Sequence, residues 1–225
     1  AGYIYSGGVA GEVYGSVSLP ERFIITSPHH WGGRTKAGID IDGEWETPLG
    51  TAGIDESMGR KILDNSDNLK QSKSVHQREH AVEVQLPFLQ YLLKNKFRFV
   101  PISMLSQDKE SLRDISDAFV KAIEETDDRV MLIASNDMSH FVSHEAASHN
   151  DKMAIDKMLA LDPDGLYDVV REKGISMCGL PAVYTVMQAS KELGAKNAKL
   201  IKYATSAESS GDYTEVVGYA GVIFY

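Results

Sequence analysis

Short apolar runs alternate along the chain with segments of helical period, the pattern of an α/β protein. Five runs predict strands. Arg22 to Thr26 (RFIIT) is stopped by Ser27 and Pro28. Phe97 to Met104 contains Pro101, which predicts an edge position or an irregularity. Val130 to Ala134 (VMLIA) is apolar throughout and predicts the most buried strand. Lys199 to Tyr203 and Val216 to Phe224 complete the set, and Gly218 and Gly221 in the last predict close packing or a bulge.

Helices are predicted between the strands. His80 to Leu93 has suitable apolar spacing, with Pro87 kinking or dividing it. Lys109 to Glu125 places Leu112, Ile115, Phe119 and Ile123 on one face. His144 to Leu161 follows, then Asp164 to Lys173 with a turn at Gly174. Pro181 to Leu193 opens on proline and stops before Gly194, the expected helix asymmetry. Residues 32–58, rich in Gly, Asp and Thr, predict a loop with room for a hairpin. No repeat or long Gly/Ser/Pro linker occurs, so one domain over 1–225 is expected.

Composition narrows the function. The 225 residues are 43% hydrophobic and 24% charged, with a formal net charge of −9, which argues against nucleic-acid and anionic-membrane partners. Cys178 is the one cysteine, so an intramolecular disulfide is excluded. No apolar run reaches the roughly 18 residues of a membrane span and no export signal is visible, so the expected location is cytoplasmic. The absence of Met at Ala1 predicts that residues precede it. The phosphate-loop, dinucleotide and nucleophile-elbow motifs are all absent, which lowers nucleotide-dependent and serine-hydrolase chemistry.

Polar clusters follow three predicted strands: Ser27 to Gly33 (SPHHWGG), Ser135 to His140 (SNDMSH) and Thr205 to Asp212. Parallel strands would bring these loops to one crevice at their carboxyl ends. His29 and His30 point to opposite sides of an extended chain, so one of them is a candidate ligand and the other packs or caps. Cys178 precedes a helix, where backbone N–H groups would stabilise a thiolate; the alternative is a small buried hydrophobe. Asp137 with His140, and Glu79 with His80, are acid–histidine pairs suited to proton transfer. Asp137 also reads as a helix N-cap, and Glu79 as a solvated first-turn carboxylate. His76/His80 and His140/His144 have the four-residue spacing of zinc-binding helices but lack the glutamate that accompanies it.

Several strings gain meaning together: Ala1-Gly2-Tyr3-Ile4-Tyr5-Ser6-Gly7, Ser27-Pro28-His29-His30, Glu79 to Pro87 (EHAVEVQLP), Ser135 to His140, and Met177-Cys178-Gly179. In this order and spacing they resemble the Memo family (mediator of cell motility; AmmeMemoRadiSam system protein B). The resemblance implies a single α/β domain, a mixed sheet flanked by helices, resembling the class III extradiol dioxygenases of the LigB-like superfamily. It implies iron or copper, with zinc as a further candidate, held by two histidines and a cysteine. His29 and Cys178 match two of those metal ligands. Asp137, His140, Glu79 and His80 match catalytic residues lining the same crevice. The first family histidine falls before Ala1, which implies a truncated N-terminus and an incomplete site in this chain. The implied function is that of a metal-dependent redox protein acting on an unknown small molecule. The alternative is a non-catalytic module recognising a phosphopeptide or partner protein in the same crevice, and a third reading is a partner of a radical-SAM enzyme. Efficient catechol cleavage is not expected, because the resemblance places a thiolate where extradiol enzymes use a carboxylate.

Overall fold

The computed structural model describes residues 2–32, 35–94 and 96–225; Ala1 and Gly33, which belong to two of the strings above, lie outside them. In chain order the elements are α1 (Tyr3–Gly15), β1 (Arg22–Pro28), β2 (Ala37–Ile39), β3 (Glu44–Thr47), β4 (Gly50–Ile54), α2 (Glu56–Asp64), β5 (Leu69–Gln71), α3 (Leu86–Leu93), β6 (Arg98–Met104), α4 (Lys109–Glu124), β7 (Val130–Ala134), β8 (His140–Val142), α5 (His144–Leu159), α6 (Pro163–Lys173), α7 (Leu180–Glu192), β9 (Ala198–Thr205), α8 (Ala207–Ser210) and β10 (Val216–Phe224). Side-chain caps start four helices, with Asp55, Asp108, Ser143 and Asp162 each accepting a first-turn N–H, which satisfies donors that the helix leaves unpaired. No helix among the described residues is long and apolar enough to cross a membrane.

The residues form two compact units assembled from separated segments. Residues 18–135 and 181–189 build a mixed, seven-stranded sheet ordered β3-β4-β6-β1-β7, with β2 joining β6 to β5. β1 runs parallel to both β6 and β7. Phe23, Ile24, Ile25, Phe99, Val100 and Ile102 of the central strands are buried, with Met58 and Ile62 of α2 and the predicted face of α4, Leu112, Ile115 and Phe119. β7 is a strand as predicted but is only half-buried along its length, because it ends the sheet with one strand partner, β1. Pro101 does not mark an edge. β6 pairs with β4 at Arg98 and Phe99 and with β2 from Ile102 to Met104. Pro101 lies between those partners, where its missing N–H breaks no ladder.

Residues 1–17, 136–180 and 190–225 build the second unit around the antiparallel sheet β8-β10-β9. α1 has no predictive amphipathic signal and three internal glycines, Gly7, Gly8 and Gly11. Its Val9 packs with Ala204 of β9 and Tyr219 of β10, so tertiary burial overrides weak propensity. Both glycines of β10 are close contacts, as expected. A Cβ on Gly221 would strike Val13, and one on Gly218 would strike the Asp151 carboxylate. Register shifts in β10 supply the expected bulges.

The predicted helix His80–Leu93 is shorter. Glu79 accepts hydrogen bonds from the backbone of His80 (3.0 Å) and Ala81 (3.1 Å), which holds these residues in a turn. A 3-10 turn, Glu83–Gln85, follows, and α3 starts at Leu86 with Pro87 in its first turn rather than at a kink. Residues 32–58 do contain a hairpin, β3 with β4, together with the short strand β2 and the start of α2.

Two outcomes follow from this packing. Gly218→Ala drives a methyl group into Asp151 and is expected to cost about 1–3 kcal/mol, read from the urea midpoint at constant slope. His76 lies against Trp45, rings 5.2 Å apart, and burial, then the charge of His29, push its pKa down to about 4. An unfolded histidine titrates near 6.5, so between these values the unfolded chain holds the extra proton. Stability therefore falls as pH drops from about 6.5 to 4, by roughly 3 kcal/mol for this residue. Denaturation curves of the wild type and His76→Leu, compared at pH 7.5, 6 and 5, should show the wild type losing more stability than the variant; parallel losses would refute the assignment.

Candidate functional site

The smaller-sheet unit brings Asp137, His140 and Cys178 together. One donor atom from each lies within 4.8 Å of the others. The loop from Asn136 to His140 is pinned by the strand beside it. Met138 N–H donates to Gly218 O (2.9 Å), and Gly218 N–H donates to Ser139 O (2.9 Å). Ser139 N–H donates to the buried Asp151 carboxylate (2.9 Å). On the other side, Cys178 N–H donates to Asp137 O (3.3 Å), and Gly179 N–H donates to Asn136 Oδ1 (2.6 Å). No helix follows Asp137, so it is not the N-cap that its sequence context also allowed.

His140 begins β8, a three-residue strand too short to be read from pattern. Its N–H donates to Ser176 Oγ and its Nδ1–H to Ser176 O, both at 2.7 Å. A carbonyl only accepts, so in the neutral ring the proton sits on Nδ1 and Nε2 keeps a lone pair. Nε2 lies 4.0 Å from Asp137 Oδ2, with both side chains about one-fifth exposed. Phe141, next in β8, has φ of 56° and lies between the two paired residues, His140 opposite Val217 and Val142 opposite Val216. This left-handed residue absorbs the bulge beside the site.

Cys178 does precede a helix, but its thiol is not activated. Burial, joined by the charge of Asp137 and opposed by the Asp137 N–H, raises its pKa to about 11. The N–H of Asp137 donates to Sγ at 3.4 Å, and the thiol donates to Asp137 O at 3.7 Å. The thiolate expected from the helix entrance is therefore absent until something displaces the proton.

The larger-sheet unit holds a second group, His30, Glu79 and His80, whose donor atoms also lie within 4.8 Å of one another. Glu79 is buried rather than a solvated first-turn carboxylate. It accepts from His30 N–H (2.8 Å) and from His30 Nδ1 (3.0 Å). The bonds from His30 and Ala81 draw its pKa down against the opposing effect of burial. His30 and His80 stack with centroids 5.5 Å apart. His29 is not part of this group: its Nε2 bonds to Gly32 O (3.0 Å), and its Nδ1 is a buried acceptor with no hydrogen-bond partner among the described residues. That orphaned lone pair fits the ligand role nominated for His29. Alternation along the strand left either His29 or His30 open as the candidate, and the family strings pointed to His29; His30 is the one that meets Glu79.

The two four-residue histidine pairs are not helical. His76 lies in a turn and His80 in an irregular segment, and His140 sits on β8 while His144 opens α5 with Nδ1 bonded to Thr205 Oγ1 (2.9 Å). The carboxyl ends of β1 and β7 do lie side by side at one end of the sheet, where Ser135 N–H bonds to Thr26 O (2.8 Å). Thr205 to Asp212 instead follows a strand of the antiparallel sheet, so the parallel-strand argument does not extend to it.

The chain is similar to curated relatives along its full length. It is 42% identical over 228 residues to a MEMO1 family protein of Desulfurococcus amylolyticus, covering 100% of this chain and 80% of the relative. It is 38% identical to MEMO1 family protein MK0963 of Methanopyrus kandleri, with the same coverage. A solved structure, the uncharacterized protein JW3007 from Escherichia coli K12, shares the fold at 13% identity with a TM-score of 0.57, covering 93% of this chain and 90% of that one. Residues 1–223 match the family described as Memo-like protein, and with the full-length relatives this establishes that the chain belongs to the Memo-like family.

Proposed function

We propose that this chain is a metal-binding protein with a redox role, and that Asp137, His140 and Cys178 hold an iron or copper ion. The observation that carries the reading is the convergence of three different donors within 4.8 Å, with the His140 tautomer fixed by Ser176 O. A ligand histidine commonly donates its other N–H to a backbone carbonyl or carboxylate in this way. The donor set fits such an ion: thiolate selects soft metals, and imidazole and carboxylate are shared by iron, copper and zinc. Bound there, iron or copper supplies one-electron chemistry.

The protein's own contribution is positioning and proton handling. Ser176 sets the direction of His140 Nε2, and Asp137 supplies negative charge beside it. The Cys178 thiol, protonated at neutral pH, gives up its proton when it becomes a ligand.

Copper(I) and ferrous iron, added anaerobically against a competing chelator, test the reading. Cys178→Ser and His140→Ala should each weaken binding by at least about tenfold, as removal of even an outer-shell partner does. Affinity should rise with pH across the neutral range, since metal and proton compete for the same sulfur. Affinity that both variants leave unchanged would overturn the assignment.

A further inference from the structure

The histidine–carboxylate cluster of the larger-sheet unit shares no residue with the Asp137 group and carries its own inference. Glu79 Oε1 lies 3.0 Å from His30 Nδ1 and 3.5 Å from His80 Nδ1. Ions bound at about 2.0–2.2 Å in tetrahedral geometry hold neighbouring ligand atoms roughly 3.3–3.5 Å apart. Two edges of this triangle are therefore near the required spacing before any ion enters.

The carboxylate is also held in place. Its side chain is fully buried and accepts from three backbone N–H groups, those of His30 (2.8 Å), His80 (3.0 Å) and Ala81 (3.1 Å). Such outer contacts orient a ligand in advance and reduce the entropy lost on binding. The imidazoles, by contrast, are open to solvent, at 38% exposure for His30 and 54% for His80. The cluster thus has a buried anionic floor and two accessible, near-parallel rings, 18° apart.

We infer that His30, Glu79 and His80 form a cation site for a divalent first-row metal, separate from the Asp137 group. The ligands are Nδ1 of each histidine and Oε1 of Glu79. With both rings neutral the trio carries one negative charge, and two nitrogens with one carboxylate suit ferrous iron or zinc. The proton now shared between His30 Nδ1 and Glu79 gives way to the ion, and the neutral ring takes a proton at Nε2 from solvent.

Zinc(II) is the probe, titrated into the full chain carrying Cys178→Ser and His140→Ala, so that failure of the function proposed above leaves this test intact. One equivalent should still bind, and adding His80→Ala should weaken it at least about tenfold. The His80 side chain is exposed and the substitution leaves its backbone bond from Val84 N–H in place; circular dichroism checks that the variant remains folded. On zinc binding, the ¹⁵N resonances of His30 should report transfer of its hydrogen from Nδ1 to Nε2. Absence of zinc binding in the double variant, affinity unchanged by His80→Ala, or an unaltered His30 tautomer would each overturn the inference.

Discussion

Strand β1 is paired on both sides, with β6 and with β7, and its residues from Phe23 to Pro28 are buried. A strand flanked in this way has both rows of backbone groups satisfied, leaving register little freedom to slip. Its carboxyl end then fixes where His29 and His30 begin. The last ladder contact is carried past Pro28 by His29 N–H bonding to Met104 O at 3.1 Å. The neighbouring imidazole is consequently delivered to Glu79 by the backbone rather than by a flexible loop.

Both clusters solve the same problem, the orientation of an imidazole, by different means. In one, a backbone carbonyl of Ser176 accepts the Nδ1 proton of His140. In the other, the buried carboxylate of Glu79 faces Nδ1 of His30. The carbonyl holds the Nδ1 proton, so Nε2 of His140 is turned toward Asp137. A carboxylate can itself take an ion, so the same contact at His30 marks a place where a cation can replace a proton. Elements so fixed are suited to precise chemistry because their positions do not have to be found on binding.

Much of this was legible in the sequence. β1, β6, β7, β9 and β10 lay where apolar runs were read as strands, and α4, α5, α6 and α7 where the period was helical. The elements that escaped lacked such marks. α1 is rich in glycine, β2, β5 and β8 have three residues each, and α2 starts at Glu56, inside a segment that read as a loop, and runs on past its end. Asp137, His140 and Cys178 were named from loop positions and the family strings, and they meet because backbone pairing joins Cys178 to Asp137. Burial, by contrast, is a tertiary quantity. Sequence could not show that Glu79 would be enclosed, or that enclosure would outweigh the helix entrance at Cys178.

That enclosure has a chemical consequence for Cys178 itself. A thiol with a pKa of about 11 is ionised in about one molecule in ten thousand at pH 7, against a few in a hundred for an ordinary cysteine. Since the thiolate is the species that attacks peroxide, the proton held on Cys178 shields its sulfur from oxidation.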